Sequence, residues 1–348
     1  MKPEPTRIEP IFSPRIWGAR SLAPLFREET NLAEPLGEAW LTGVDCKIAT
    51  GPFAGKTLGE AWREMPPEWR GLNPKSVNDF PILLKFIFPK DKLSIQVHPD
   101  DAYAAVYEKA AGGRGKTEMW HIVSAEPGAR LFAGFKPDVT RERFLESLAA
   151  HTLEDLFQAH PVHAGDTFFI PAGTPHTIGA NVIVFEVQEY SDLTYRVYDY
   201  GRVDSHGKPR ELHIEKALDV MNFKAHLDPR TRPLVVHREG VDLSLLSACK
   251  YFAAERWDLT SEISWRDDES FHMLTVLSGT GQFSWRQGSA SYHPGECWFI
   301  PGNLGEWSVL PNGLNNILHA YVPCLESLKL RLKMQKFPET EISKAVFD

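Results

Sequence analysis

Residues 93–98 constrain this chain more than any other stretch. Leu93, Ile95 and Val97 alternate with Ser94, Gln96 and His98, which is the period of a half-buried strand. Successive strand side chains point to opposite faces, so Ser94, Gln96 and His98 share one. A polar face carrying an amide and an imidazole, backed by an apolar one, predicts a β-barrel whose interior holds something. In GKTEMWHIV, Lys116, Glu118 and Trp120 are again in phase, and far downstream GDTFFIPAGTPHTIG supplies His176. One amide oxygen, two imidazoles and a carboxylate, from Gln96, His98, Glu118 and His176, form a plausible divalent-metal set.

With 348 residues the chain exceeds one ordinary domain, so two are expected. Its 26 prolines, 25 glycines and many short apolar runs favour a β-rich fold over a helix bundle. A net charge of −8 argues against broad nucleic-acid or anionic-membrane binding. It still permits a local cationic pocket for an anionic small molecule. Cys46, Cys249, Cys297 and Cys324 are scattered with no CxxC pair, as buried thiols in a reducing compartment would be. The N-terminus has no apolar signal region, and no run approaches the roughly 18–20 apolar residues of a membrane span. Cytoplasm is therefore expected, with no oligomer specified beyond a monomer.

A short helical pattern is expected after Trp17-Gly18, a helix over 57–63 and a Pro-rich connection to 78. PILLKFIF, at 81–88, is an apolar run broken only by Lys85. A lysine there is costly unless it reaches solvent or meets an anion. Asp100 or Asp101 can cap a helix through Glu108. Apolar residues at three- and four-residue spacing predict two short helices over 137–160. Pro171–Pro175 reads as a turn aiming His176 inward. Residues 203–228, with a helical ELHIEKALDVMNF, read as the linker. From about Leu234 the strand order repeats loosely. GECWFIPGNLGEW aligns with GDTFFIPAGTPHT, and Glu306 stands where the first copy has His176. The second copy shows no Gln-x-His pair, so a β-sandwich of similar build without a metal site is expected. The basic tail reads as a strand or a helix.

The Gly-Asp-x-x-x-Ile-Pro-x-Gly-x-x-His turn resembles the cupin superfamily, small jelly-roll barrels with an internal metal. IWGARSL, LLKFIFPKDKLSIQVHPDD, GKTEMWHIV, GDTFFIPAGTPHTIG and SDLTYRVYDYGR span residues 16–202. In that order they resemble the type I mannose-6-phosphate isomerases in their short bacterial form. One departure is LTGVDCKIATG after Trp40, which lacks the Ser and His expected there. The resemblance implies an all-β fold with minor helices. It would comprise two cupin-like jelly-roll barrels, a catalytic one at 1–228 and a degenerate one at 229–348.

It also implies a Zn2+ held by Gln96, His98, Glu118 and His176. The reaction implied is mannose 6-phosphate to fructose 6-phosphate through a cis-enediol. Arg196 matches the family's catalytic arginine, and a guanidinium that never deprotonates can only stabilise charge. Lys116 and Glu186 are rival proton-transfer groups, and the sequence leaves the choice open. Asp192 would orient Arg196 or a water. Lys85, Ser94 and Arg202 are candidates for the phosphate, Arg202 standing where some relatives carry a lysine. Trp17 and Trp120 would wall the pocket, or simply pack. The partner is a small-molecule sugar phosphate. The main alternative is a non-catalytic sugar-phosphate-binding cupin. An iron or manganese cupin oxygenase would want a histidine at Gln96.

Overall fold

In the first half the chain forms β1 (Thr6–Ile8), β2 (Ile11–Ala19), β3 (Leu36–Trp40), β4 (Ile82–Ile87), β5 (Ile95–Val97) and β6 (Glu118–Ala125). There follow β7 (Arg130–Phe135), β8 (Phe157–Pro161), β9 (Thr167–Ile170), β10 (His176–Ile178), β11 (Val182–Glu189) and β12 (Tyr195–Tyr198). The computed structural model describes residues 1–73, 79–204, 206–224, 228–266 and 269–348. Positions 74–78 of the expected Pro-rich connection, and 205 and 225–227 of the expected linker, lie outside the described residues.

Two sheets of the first half pack face to face. One runs β2-β3-β4-β11-β6-β9 and the other β12-β5-β10-β7-β8. Period-two parity decides what lies between them. From β4, β6, β9 and β11, Ile87, Trp120, Ile122, Phe168, Ile170, Val182 and Val184 turn inward, onto Leu131, Ala133 and Ile178 of the other sheet. Their neighbours Leu84, Phe86, Met119, Phe169, Phe185 and Val187 turn outward into a larger core. Lys85 and Glu186 have the inward parity, and they are cross-strand partners.

The outer face of the second sheet is covered by short helices. Phe144 of Arg141–Ala149 and Ala217 and Leu218 of Ile214–Val220 pack on Ile95, Val97 and Phe135. Capping signals set several helix starts. Thr57 and Glu60 close a capping box on Leu58–Glu64, and Asp100 accepts the Tyr103 N–H at 2.8 Å. Two expectations change. The second helix of 137–160 is one 3-10 turn, Leu153–Leu156, because Phe157–Pro161 is drawn into a ladder with β7. The helical pattern after Gly18 is absent: β2 continues to Ala19, since Gly18 lies against the Leu36 backbone, where a Cβ would be 2.4 Å from the Leu36 carbonyl carbon.

The second half adds β13 (Leu234–Arg238), β14 (Val241–Ala248), β15 (Ala253–Leu259), β16 (Ile263–Trp265), β17 (His272–Trp285), β18 (Gly288–Tyr292), β19 (Cys297–Ile300) and β20 (Trp307–Tyr321). These eight strands supply all but one strand of a nine-stranded sheet that folds around Trp257, Leu274, Val276, Trp298, Ile300 and Ile317. It also takes β1 from the N-terminus, paired with β19 from Thr6↔Phe299 to Ile8↔Cys297. The tail is a helix, Leu325–Met334. The chain is thus all-β with minor helices. All four cysteines are free. Among the described residues no helix is long and apolar enough to cross a membrane.

Candidate active site

Three buried donors converge between the two sheets of the first half. His98 follows β5, Glu118 opens β6 and His176 opens β10, and one ligand atom from each lies within 4.8 Å of the others. His176 is delivered by the turn after Pro171, where Gly173 has φ +83°, a conformation that side-chain-bearing residues rarely adopt, and an added Cβ would sit a tight 3.0 Å from the Val220 carbonyl oxygen. Each imidazole has its Nδ1 against a backbone carbonyl, Leu193 for His98 and Thr174 for His176, both at 2.8 Å. Such an outer hydrogen bond fixes the ring and puts the Nε2 lone pair inward. Burial, foremost, pushes both imidazoles below their usual range, with Lys116 adding to the effect on His98 while Glu118 opposes it for His176. They are therefore neutral, as ligands must be.

The inward atoms do not satisfy each other. His98 Nε2 and both Glu118 oxygens are buried without a hydrogen-bond partner. Orphaned buried polar atoms are costly, and a cation at their centre would satisfy all of them. Gln96 is the cross-strand neighbour of His176 and brings one end of its carboxamide to 3.3 Å from His176 Nε2. A half-turn of that group presents Oε1 there instead. The residues thus fit a divalent metal.

A cavity of about 460 Å³ opens over Gln96. Its lining includes Trp17, Lys85, Ser94, Lys116, Trp120, Glu186, Asp192 and Arg196, so most of the residues singled out from the sequence meet there. Lys116 is buried, with Nζ 3.6 Å from Glu118 Oε2. Glu186 sits between two cross-strand partners: Lys85 Nζ is 3.0 Å from Oε1, and Trp120 Nε1–H donates to Oε2 at 2.9 Å. Burial alone would lower the Lys85 ammonium, but Glu186, Glu38 and Asp192 raise it. Asp192 acts on Lys85, and Arg196 is held elsewhere, donating to Ser94 Oγ at 3.3 Å and to the Glu211 carbonyl at 3.0 Å. Arg202 is not brought to the cavity. It bonds to Asp199 at 2.7 Å and Asp91 at 3.2 Å.

Sequence reasoning missed Arg15, Glu38, Arg210 and His213, which also line the cavity. Arg15 donates to Glu38 Oε2 at 2.6 Å, which Trp40 Nε1–H also reaches at 2.9 Å. Only the GEAW run offered a signal, an acid flanked by apolar residues on a strand. In the second half a buried chain went unseen too. His272 Nδ1 and His319 Nε2 are 2.9 Å apart, and His319 Nδ1 is 3.2 Å from Glu255. Trp257 Nε1–H and Tyr321 OH complete Glu255 at 2.9 and 3.0 Å. Glu306, aligned with His176, is exposed.

Paired sandwich units, one with this donor cluster in its interior, define a two-unit cupin protein. A family profile described as phosphomannose isomerase type I, catalytic domain, matches residues 6–121, and one described as mannose-6-phosphate isomerase, cupin domain, matches 242–314. Mannose-6-phosphate isomerase ManA of Bacillus subtilis is 31% identical over 335 residues, covering 94% of this chain and 99% of that one. The mannose-6-phosphate isomerase of Streptococcus mutans is 31% identical over 309 residues, covering 87% and 94%. The crystal structure of the mannose 6-phosphate isomerase from Bacillus subtilis superposes with a TM-score of 0.83 at 30% identity, over 91% of this chain and 99% of that one. The chain belongs to the type I mannose-6-phosphate isomerase family and is an enzyme of that family.

Proposed function

We propose that the chain interconverts mannose 6-phosphate and fructose 6-phosphate through a cis-enediol, with one Zn2+ held by Gln96, His98, Glu118 and His176. The observation that carries this is the set of buried, unsatisfied donors at the foot of a charged cavity. Two neutral imidazoles, a neutral amide and one carboxylate would leave a divalent site about +1. When bound, the ion supplies a Lewis acid that polarises sugar oxygens and offsets negative charge on the enediolate.

The chain's own residues do the rest. Arg196 donates and cannot accept, so it stabilises charge developing on the enediol side. A proton must leave C2 and return at C1. Lys116 lies beside ligand Glu118, whereas Glu186 is held by Lys85 and Trp120. We therefore assign proton transfer to Lys116 and the ordering of that wall to Glu186. Trp17 and Trp120, both buried, close the cavity sides. The scattered free cysteines support the cytoplasm as the place of action. The test is metal removal: EDTA-treated protein is expected to lose conversion of mannose 6-phosphate and to regain it with zinc. Turnover in fully metal-free protein would defeat this reading. Arg196→Ala is expected to lower kcat with zinc content unchanged, and loss of zinc as well would remove its assigned role.

A further inference from the structure

The two imidazoles of the donor cluster are steadied in different ways. His176 Nδ1–H donates to the Thr174 carbonyl, two residues back in its own turn. His98 Nδ1–H donates to the Leu193 carbonyl, 95 residues further along the chain. Leu193 lies in the 190–194 connection from β11 to β12, which belongs to no strand or helix. A carbonyl on such a connection orients a ring only as firmly as the connection itself is held. Asp192 and Thr194 of the same connection line the cavity.

The Tyr190 N–H anchors the start of the connection on the Pro81 carbonyl at 3.1 Å. Its middle is held from inside, by Gln188 of β11. Gln188 is fully buried, has the inward parity of Glu186 and stands opposite Glu118 across the ladder. Its amide nitrogen donates to the Glu189 carbonyl at 3.0 Å and to the Ser191 carbonyl. Two carbonyl acceptors fix which way the amide faces, since Oε1 in that place would meet oxygen. Oε1 is left buried without a hydrogen-bond partner. An orphaned acceptor is a cost that a methionine of the same length would not carry, so this side chain acts through its N–H groups. Ser191 passes the constraint on. Its hydroxyl donates to the Arg114 carbonyl at 3.1 Å and accepts the Leu193 N–H at 3.3 Å. One chain of contacts thus runs from Gln188 through Ser191 to Leu193 and His98.

We propose that Gln188 is a positioning residue of the metal centre: by holding the Ser191 backbone it places the Leu193 carbonyl that fixes the His98 ring and its tautomer. This rests on the reading of Gln96, His98, Glu118 and His176 as metal donors, and it names the residue that readies one of them before the ion arrives.

Gln188→Met keeps the length of the side chain and removes both N–H groups. In metal-free protein carrying isotope-labelled histidine, the ring-nitrogen shifts of His98 report its tautomer. Those of His176 are the internal reference, because that ring takes its carbonyl from its own turn. In Gln188→Met the Nδ1–H form of His98 is expected to give way to a mixture of tautomers while His176 is unchanged. Zinc affinity, measured by competition with a chelator, is expected to fall about 10–100-fold, the usual consequence of disturbing a ligand's outer partner. Unchanged His98 shifts, or a zinc affinity within about threefold of wild type, overturn the proposal. So does equal disturbance of His98 and His176, which would mark general damage to the core. Ser191→Ala removes the acceptor of the Leu193 N–H one step further along, and is expected to weaken zinc binding about fivefold. It carries the test if Gln188→Met does not fold, and full zinc affinity there overturns the proposal. A wild-type protein that binds no zinc removes the metal reading and this proposal with it. Zinc-loaded protein that does not convert mannose 6-phosphate would instead end the isomerase reading alone and leave the role of Gln188 standing.

Discussion

Lys85 and Glu186 form an ion pair removed from water on both sides, at 4% side-chain exposure each. Such a pair is costly to break by halves, because the survivor keeps a buried charge without its counterion. Lys85→Met is expected to destabilise the fold by about 3–5 kcal/mol in urea unfolding. Adding Glu186→Gln should recover part of that loss. A double variant destabilised by the full sum of the two single changes would mean the two are not coupled through charge. At this scale the sequence was legible where a local period carried the information. Gln96, His98 and Glu118 lie in or beside alternating segments, so their inward parity could be read directly; Lys85 stood out only as the one charge in an apolar run, and Glu186 only through the family resemblance. Arg15, Arg210 and His213 could not be found that way. They reach the cavity from an edge strand and a loop, Arg15 through Glu38, Arg210 through Asp199 and His213 through the Arg196 backbone, partners 23, 11 and 17 residues away in the chain.

Strand ends carry a second kind of chemistry. Glu189 closes β11, where its Oε1 accepts the Thr117 N–H at 2.7 Å. Burial, then the charge of Asp101, push its carboxyl up to about 8. Asp101 stays ionised: burial opposes this, but Tyr251 OH at 2.6 Å and the Gly115 N–H at 2.9 Å outweigh it. The folded protein thus keeps a proton on Glu189 that the unfolded chain releases near 4.5. Stability from this group is whole below that pH and drains away as pH rises to about 8. Each unit of that window is worth about 1.4 kcal/mol. Glu189→Gln keeps the neutral shape, so it is expected to change stability little at pH 5 and to raise it at pH 8. Equal effects at both values in urea titrations would rule out the retained proton. Elements were otherwise readable where a cap or a period marked them, as with Thr57 and Asp100. The turn at Leu153–Leu156 was overread because Leu153 and Leu156 mimic helical spacing, while His151, at φ +59°, has already ended the preceding helix. What claims Phe157–Pro161 for a strand is its partner β7, and no local pattern announces a partner.

The proposed units, residues 1–228 and 229–348, trade β1 and share a core. The outward face of the six-stranded sheet supplies Leu84, Phe86, Phe185 and Val187, and the nine-stranded sheet covers it with Ala254, Met273, Phe299 and Leu318. At one edge Trp62, Phe80 and Phe271 meet ring to ring, with centroids 5.0, 5.4 and 5.1 Å apart, and Phe271 stacks on Phe299 at 5.4 Å. The second unit's repeat was visible in sequence, and shielding the first unit's apolar back was the default reading of its role; which strands would meet was not visible, because a face buried by another sheet reads the same as one buried by its own. If the shared core couples the units, they unfold together. Phe271→Ala removes a fully buried ring and is expected to cost about 3–5 kcal/mol. In calorimetry the whole endotherm should move down as one peak, with calorimetric and van't Hoff enthalpies still matching, and bound zinc should be released over the same interval. Two separated peaks, with only the second displaced by Phe271→Ala and zinc retained through it, would show that the first unit stands without the second and that the shared core couples nothing.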